Sequence, residues 1–387
     1  MTYIKNASGH FEKLLESSLK RLEDIKNQGD FVDYSKLDRI RIGVCDGDGI
    51  GPTIMESAKA VLNFLLKDEI NSNKVEIKNI EGFTIENRAR CNNTLPDYVL
   101  EDIKSCNVIL KGPTTTPRPG DSYPMLESAN VALRRELDLF ANVRPVKIKE
   151  KDIDWVFFRE NTEGAYTFGS CGVDVSDELA VDFTITTNFG SYRIAKLAFE
   201  YAKKTGRKRV SIITKANIIK KTDGKFLSIC KEVAKEYKNI YVDDWYVDIA
   251  AAKLVDEQSS KDFSVLILPN LYGDILTDEA AQIQGGVGTA GSANIGKKYA
   301  MFEAIHGSAP KMVLAGLCSY ANPTSILRAV VFMLNNIGFL DSAKRLEQAL
   351  DICTDSNSKL RVTGFKDGAT TKEFTEYVLD TLSEVKI

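Results

Sequence analysis

Two aspartates stand four residues apart in NLYGDILTD, residues 270–278, directly after the apolar run FSVLILP. The run predicts a buried strand that ends in a turn. If a helix begins near Gly273, the carboxylates of Asp274 and Asp278 lie on one face of its first turns, where like charges repel. This spacing fits a divalent cation held between the carboxylates, and it fits equally a solvated helix start.

Three arginines near predicted strand ends indicate a polyanionic ligand. Arg134 and Arg144 flank a helix-like stretch in SANVALRRELDLFANVRP, and Arg159 closes the strand WVFFR. A lone arginine there is usually a surface ion pair, but several planar guanidinium forks can together hold a tricarboxylate. Ser128 and Asn130 add neutral polar contacts next to Arg134.

Three further residues have side chains suited to acid–base chemistry or metal binding. Tyr166 ends RENTEGAY, Lys215 follows the apolar strand RVSII after Thr214, and Asp248 interrupts the apolar stretch DWYVDIAA. Taken alone, the tyrosine fits a core or rim aromatic and the aspartate fits a helix cap. The lysine is less ordinary, because a buried ammonium must be paired or lose its proton, and such a lysine can transfer protons.

Glycine-rich segments offer places where the backbone can approach a ligand. GGVGTAGSANIG (285–296) is followed by FEAIHGSAP, which contains His306, and successive N–H groups there can cradle phosphates. GDGIG (47–51) has the wrong glycine spacing for a Rossmann fingerprint and is followed by Pro52, so it predicts a tight turn near a ligand.

The elements that must position these residues alternate between strand and helix from Arg39 onward. This alternation predicts an α/β fold with much parallel sheet, in which ligands bind beyond the carboxyl ends of strands. Residues 1–38 read as an appended helix with an apolar stripe.

Composition excludes several functional classes. The 387-residue chain has a net charge of only −3, which argues against nucleic acid or a membrane surface as a partner. Its seven cysteines are scattered without a C-x-x-C pair, as in a reduced protein. Neither a membrane span nor a targeting peptide is recognisable, so we expect a cytoplasmic protein.

Nine motifs, in order from about Arg41 to the C-terminus, carry a resemblance to a known family: GDGIGP, KGPTTTP, S-A-NVALRRELDLFANVRP, FRENTEGAY, TKANI, NLYGDILTD, GSANIG, FEAIHGSAP and ANPTS. The chain resembles the β-decarboxylating dehydrogenases, which include isocitrate and isopropylmalate dehydrogenases. The resemblance implies a two-domain, non-Rossmann α/β fold with a clasp that joins subunits. It implies a large domain (39–139 and 285–387) and a small domain (140–284) with the clasp at about 165–190.

The resemblance also implies roles for individual residues. Arg134, Arg144 and Arg159 would hold substrate carboxylates, with Ser128 and Asn130 on the one that distinguishes isocitrate. Asp248, Asp274 and Asp278 would ligate Mg²⁺ or Mn²⁺, with Asp248 and Lys215 supplied by the neighbouring subunit of a homodimer or higher homo-oligomer. Tyr166, tuned by Lys215, would act as the acid. The dinucleotide would contact Thr115, Thr116, Asn217, Gly288, His306, Gly307, Ser308, Ala309, Lys311 and Asn322.

These residue types suit oxidation and decarboxylation of a 2-hydroxy acid. A divalent metal lowers the pKa of the substrate hydroxyl and stabilises the enolate left after CO₂ departs. Hard cations prefer the oxygen ligands that carboxylates supply.

Ser128-Ala129-Asn130 favours isocitrate over isopropylmalate, which needs an apolar pocket. Homoisocitrate remains the nearest competitor, because one methylene is discriminated by only ~1–3 kcal/mol. For the cofactor, Lys311 stands where NAD-using relatives place an aspartate. The tyrosines that accompany such a lysine in NADP-using relatives are missing here, so we favour NAD⁺.

The alternative of another class is a non-catalytic regulatory subunit of a hetero-oligomeric dehydrogenase. The presence of Tyr166, Lys215 and the three aspartates argues against it.

Overall fold

A computed structural model of the chain describes residues 2–169, 171–286, 290–355 and 357–385. The strands in these ranges are β1 (Ile40–Cys45), β2 (Val75–Asn79), β3 (Val108–Lys111), β4 (Ala141–Ile148), β5 (Ile153–Glu160), β6 (Val173–Ser176), β7 (Leu179–Val181), β8 (Arg209–Thr214), β9 (Tyr241–Tyr246), β10 (Val265–Leu268), β11 (Gly291–Ile295) and β12 (Ala300–Ala304). The apolar runs that predicted strands correspond to β1, β3, β5, β8 and β10.

The helices separate these strands along the chain. They are α1 (Thr2–Lys26), α2 (Gly51–Leu65), α3 (Lys67–Asn71), α4 (Ile85–Arg90), α5 (Asp97–Lys104), α6 (Ala129–Glu136), α7 (Asn188–Thr205), α8 (Thr222–Ala234), α9 (Val247–Val255), α10 (Asn270–Gln284), α11 (Pro310–Leu314), α12 (Thr324–Asn336), α13 (Leu340–Cys353) and α14 (Thr371–Glu384). No helix in the described ranges is long and apolar enough to cross a lipid bilayer.

The chain divides into two compact units. The first unit comprises Met1–Asp30 and Asp138–Ile283, and the second unit comprises Phe31–Leu137 and Gln284–Ile387. Each contains a mostly parallel set of strands connected through helices, so the prediction of an α/β fold is confirmed.

In the first unit the strand order is β4-β5-β10-β8-β9. Only β4 runs antiparallel to its neighbour, and the other pairs are parallel. The central strands are buried on both faces, which explains their nearly continuous apolar sequences. Trp155, Phe157, Leu266 and Leu268 form the middle of the core. A small antiparallel hairpin, β6–β7, lies within the segment predicted as the clasp.

Helix α1 packs on its own unit beside this hairpin. His10 Nε2 lies 2.7 Å from the carbonyl oxygen of Cys171, and the rings of Phe11 and Phe183 stack with centroids 5.0 Å apart. Leu19 on the same helix stays largely exposed.

In the second unit the strand order is β2-β1-β3-β12-β11. The pair β11–β12 is antiparallel and the others are parallel. The carboxyl ends of β1 and β3 therefore emerge at one edge, where their following loops carry GDGIGP and KGPTTTP.

Candidate active site

In the first unit two buried arginines point at helix α10. Arg159, at the end of β5, donates from Nε and Nη2 to Asn270 Oδ1 at 2.9 and 2.6 Å, and from Nη1 to Asp274. Arg144 on β4 donates from Nη1 to Thr277 Oγ1 at 2.8 Å and to Asp278 Oδ1 at 2.9 Å. The two side chains expose 2% and 8% of their surface, so both guanidinium groups are held beneath the helix.

Helix α10 begins at Asn270, three residues before the expected start near Gly273. Asn270 receives Arg159 on its oxygen and donates from Nδ2 to the carbonyl oxygen of Glu163 at 2.9 Å, which fixes the first turn. Gly273 is required there, because a Cβ would come within 2.5 Å of the Arg159 side chain.

Asp274 and Asp278 lie one turn apart on this helix, as their spacing predicted. The structure neutralises each with an arginine, and their side chains keep exposures of 35% and 61%. Two half-exposed carboxylates on one helix face are a hard oxygen donor set that suits Mg²⁺ or Mn²⁺. Among the described residues no group of three His, Cys, Asp or Glu side chains converges as a metal site.

Tyr166 and Lys215 belong to two separate carboxylate contacts. Tyr166 Oη donates to Asp274 Oδ2 at 2.6 Å, whereas Lys215 Nζ lies 2.6 Å from Asp248 Oδ1 on α9. The ion pair with Lys215 lowers the pKa of the exposed Asp248 carboxyl. Lys215 follows β8, which ends at Thr214, and its side chain is partly exposed and paired, so its ammonium is not the buried group that the sequence suggested.

Sequence reasoning missed Asp223, which positions the Lys215 segment. Asp223 Oδ2 accepts the backbone N–H of Lys215 at 2.7 Å, and its carboxyl is also hydrogen bonded to Tyr272. Burial raises the pKa of the Asp223 carboxyl, and the hydrogen bonds oppose that shift. An acidic residue in the first turn of α8, eight positions after the lysine, was the available signal.

In the second unit Arg134 lies within helix α6, and the helix ends at Glu136. The helix-like stretch expected up to Arg144 was therefore wrong beyond that residue. Asp138 adopts φ +46°, and the chain then enters β4, where Arg144 lies. Ser128 is the residue before α6, and Asn130 Oδ1 accepts from Thr114 Oγ1 at 3.1 Å.

Arg134 contacts a buried charge cluster that the sequence did not reveal. Glu303 on β12 receives Arg134 Nη2 at 3.1 Å, Lys111 Nζ at 3.1 Å and Asn294 Nδ2 at 2.8 Å. Burial alone would raise the pKa of the Glu303 carboxyl, but Lys111 and Arg134 outweigh it and hold that pKa at about 2. Glu303 therefore fixes the position of the Arg134 guanidinium.

The residues predicted to hold the dinucleotide include a cluster in the second unit. Thr115 Oγ1 lies 2.8 Å from Ser308 Oγ, and Ala309 adopts φ +50° just before α11. His306 Nε2 is buried and has no hydrogen-bond partner among the described residues. Burial lowers the pKa of the His306 imidazole, with a hydrogen bond to Gly307 opposing the shift.

The other predicted cofactor residues are more dispersed. Thr116 and Gly307 are exposed in their loops, Lys311 is exposed on α11, and Asn322 Oδ1 accepts the backbone N–H of Thr324 at 2.9 Å. Asn217 is exposed after β8 in the first unit. Gly288 lies outside the described residues.

Comparison with known proteins agrees with the motifs. The isocitrate/isopropylmalate dehydrogenase family model matches residues 41–378. The chain is 36% identical to the isocitrate dehydrogenase [NADP] of Rickettsia prowazekii (89% of this chain and 70% of the relative). It is 39% identical to the mitochondrial isocitrate dehydrogenase [NAD] catalytic subunit 5 of Arabidopsis thaliana (87% of each). It is 36% identical to the homoisocitrate dehydrogenase of Methanocaldococcus jannaschii (81% of this chain and 90% of the relative).

A solved structure agrees at the level of the fold. The crystal structure of isocitrate dehydrogenase from Methylococcus capsulatus superimposes with a TM-score of 0.77 at 35% identity, covering 89% of this chain and 99% of that one. The predicted family is thereby confirmed. The chain belongs to the isocitrate/isopropylmalate dehydrogenase family, and it is an NAD(P)-dependent decarboxylating dehydrogenase.

Proposed function

We propose that the enzyme oxidises and decarboxylates isocitrate to 2-oxoglutarate, with a nicotinamide dinucleotide as the hydride acceptor. One observation carries the substrate assignment: Ser128 at the N-cap of α6 and Asn130 in its first turn precede Arg134 on the same helix, where isopropylmalate would need apolar contacts. Hydroxyl and amide groups suit a third carboxylate. An apolar substrate branch would leave these desolvated hydroxyl and amide groups without hydrogen-bond partners. The site should therefore discriminate strongly between isocitrate and 3-isopropylmalate.

The buried guanidinium groups supply the charge that a tricarboxylate needs. Arg144 and Arg159 are held beneath α10, and Arg134 is fixed by Glu303. Because their partners already orient these side chains, little side-chain entropy remains to be lost when the substrate binds. Arg144 and Arg159 are proposed to exchange part of their contact with Asp278 and Asp274 for substrate carboxylates.

Asp274 and Asp278 are proposed to hold Mg²⁺ or Mn²⁺ together with Asp248 from a second copy of the chain. A bound divalent cation supplies electrostatic stabilisation of the negative charge that develops on substrate oxygens. Asp274 also accepts the Tyr166 hydroxyl, so the same carboxylate that binds the cation orients the proposed acid.

Tyr166 is proposed to protonate the enolate carbon that remains after CO₂ departs. Its ring lies under the Arg159 guanidinium, 5.4 Å from centroid to Cζ, which restricts its orientation. Lys215, supplied by the second copy in this proposal, assists the proton transfer.

A second copy is further supported by apolar side chains that neighbour these residues in sequence. Ile218, Ile249 and Ile275 expose 68%, 46% and 58% of their surface, and each stands within three positions of Lys215, Asp248 or Asp274. Exposed apolar side chains that form a contiguous patch mark surfaces that another protein covers. We therefore propose a homodimer with shared sites.

The decisive experiment is a matrix of initial rates with the purified protein. Isocitrate, homoisocitrate and 3-isopropylmalate are each paired with NAD⁺ and NADP⁺, with and without Mg²⁺. We expect isocitrate to give the highest kcat/KM, NAD⁺ to be preferred over NADP⁺, and activity to require the metal. A higher kcat/KM for homoisocitrate or 3-isopropylmalate would overturn the substrate assignment. No activity in any combination would favour the regulatory-subunit alternative.

A further inference from the structure

A second buried ion pair lies in the second unit, between Asp48 of GDGIGP and Arg88 of α4. Arg88 Nη2 lies 3.1 Å from Asp48 Oδ2, and the two side chains expose 0% and 3% of their surface. Arg88 stands outside every motif that carries the family resemblance. Solvent and substrate cannot reach either side chain, so any contribution to function must pass through the groups they bind.

The pair binds both polar groups of the Thr115 backbone. Asp48 Oδ2 accepts the Thr115 N–H at 2.6 Å, and Arg88 Nη2 donates to the Thr115 carbonyl oxygen at 2.8 Å. Asp48 Oδ1 also accepts the N–H of Ile85, at 2.7 Å, which ties the start of α4 to the same carboxylate. The backbone position of Thr115 is therefore set by two charges that are 40 positions apart in sequence.

The contacts extend to the loop that carries HGSAP. The Asp48 N–H donates to the Pro113 carbonyl oxygen at 2.7 Å, and the Ile50 N–H donates to the Ser308 carbonyl oxygen at 3.1 Å. Gly49 permits this close approach, because a Cβ there would lie 2.0 Å from that Ser308 oxygen. With the Thr115–Ser308 hydroxyl contact, three motif loops form one connected hydrogen-bond network above the ion pair.

Stability alone does not account for this arrangement. An apolar pair of similar volume usually stabilises a fold as well as a buried ion pair does. Arg88 Nε and Nη1 are buried without hydrogen-bond partners among the described residues, which adds a desolvation cost. A buried ion pair with this cost is expected where it holds a loop in one geometry.

We propose that Asp48 and Arg88 are positioning residues for the dinucleotide. They fix the Thr115 peptide and, through Ser308, the HGSAP loop in the geometry that binds the cofactor. Cofactor binding therefore does not have to order these loops, and it loses less conformational entropy. The inference rests on the proposed function, since it takes Thr115 and Ser308 as cofactor contacts.

The test is a fluorescence titration of NADH and NADPH, without isocitrate or metal, on three proteins: wild type, the double variant Asp48→Asn/Arg88→Met, and Lys78→Met. Removing both charges avoids an unpaired buried ion. Arg88→Met removes the donor to the Thr115 carbonyl oxygen, and Asp48→Asn leaves one amide oxygen where the carboxylate offered two to the N–H groups of Ile85 and Thr115, so the Thr115 peptide is held less firmly. Lys78 forms a half-exposed ion pair with Asp102 in the same unit and serves as the control.

We expect the double variant to bind reduced dinucleotide at least about tenfold more weakly than wild type, with a rise of similar size in its KM for NAD(P)⁺. Its KM for isocitrate should change less than about twofold. A purely structural role would lower the active fraction and leave both KM values unchanged. The control should match wild type. Equal dinucleotide affinity in the folded double variant and wild type overturns the inference.

A failure of the proposed function would look different: a wrong substrate assignment appears in the rate matrix with dinucleotide binding intact, and a chain that uses no dinucleotide gives a wild type that binds neither NADH nor NADPH. If the double variant does not fold, Asp48→Asn/Arg88→Gln, whose two neutral side chains can still form hydrogen bonds, replaces it in the same titration. Affinity unchanged from wild type in that variant would equally overturn the positioning role.

Discussion

Tyr166 donates a hydrogen bond to Asp274, with Oη 2.6 Å from Oδ2, so the proposed acid and a proposed metal ligand touch within one chain. Arg159 binds the other oxygen of the same carboxylate. In the proposed function, Asp274 would thereby connect substrate binding, metal binding and proton transfer through one side chain. A cation that binds Asp274 must share the carboxylate with the tyrosine or displace it.

Replacing Tyr166 by Phe should slow turnover by about 10²- to 10⁴-fold, which is the usual contribution of a positioned acid. The affinity for isocitrate should change little, because the ring and its contact with Arg159 remain. Steady-state kcat, together with an isocitrate titration of the variant, measures the two effects separately. Turnover equal to wild type would refute the role of Tyr166 as the acid.

Replacing Asp274 by Asn should weaken Mn²⁺ binding by at least about 100-fold, since even outer-shell changes cost up to that much. The amide oxygen can still accept from Arg159 or Tyr166, so the fold should persist. Electron paramagnetic resonance of Mn²⁺ measures binding directly, and the metal dependence of the rate follows it. The exposed Asp262→Asn is the matched control. Metal affinity unchanged from wild type in Asp274→Asn would remove Asp274 from the metal site.

Glu163 should lower the free energy of unfolding as pH rises from about 4.5 to 7. Burial, and then the neighbouring Glu160 carboxylate, raise the Glu163 pKa to about 7 from an ordinary 4.5, with Thr187 and Arg193 opposing. In this window the folded state holds a proton that the unfolded state has released, so the free energy of unfolding decreases as pH rises and levels off above 7.

The expected decrease is on the order of 3 kcal/mol. Glu163→Gln mimics the protonated form, and its amide can meet both the backbone N–H and the hydroxyl of Thr187, which the carboxylate now binds. Urea unfolding at pH 5 and pH 8 should show the variant gaining stability relative to wild type at the higher pH. The exposed Glu178→Gln should show no such difference. Parallel profiles for wild type and Glu163→Gln would contradict the assignment.

Removing the Glu303 charge should destabilise the enzyme by roughly 3–5 kcal/mol at pH 7, because Lys111 and Arg134 would be left as uncompensated buried cations. The low Glu303 pKa also predicts that this stabilisation persists down to about pH 4.5 and is lost as pH falls toward 2. Urea midpoints of Glu303→Gln measure the loss. The double variant Lys111→Met/Glu303→Gln should recover part of it, and a failure to recover any would argue against charge as the cause.

Replacing Ile249 by Asp should shift the protein from dimer to monomer and abolish activity, because a charge would enter the proposed interface beside Asp248. Sedimentation velocity gives the oligomeric state, and the rate assay gives the activity. Leu340→Asp alters an even more exposed apolar residue at the start of α13 and should leave both unchanged. A dimeric, active Ile249→Asp would exclude this face as the shared one.

The sequence by itself determined the fold class and the family. Apolar runs such as VLIL and WVFF and the helical stretches between them are local patterns, and they sufficed for the α/β architecture. The roles expected for Arg159, Tyr166 and Asp274 came from the family resemblance that the nine motifs carry, because each residue taken alone also fits a purely structural role.

The tertiary structure decided which groups meet. Helix α10 starts at Asn270 because Arg159, from a strand more than 100 positions earlier, holds that side chain. The burial of Glu303 with Arg134, and of Asp48 with Arg88, follows from contacts that are 169 and 40 positions apart. No local pattern encodes such pairs, since an ionisable residue is buried or exposed according to what the folded chain brings against it.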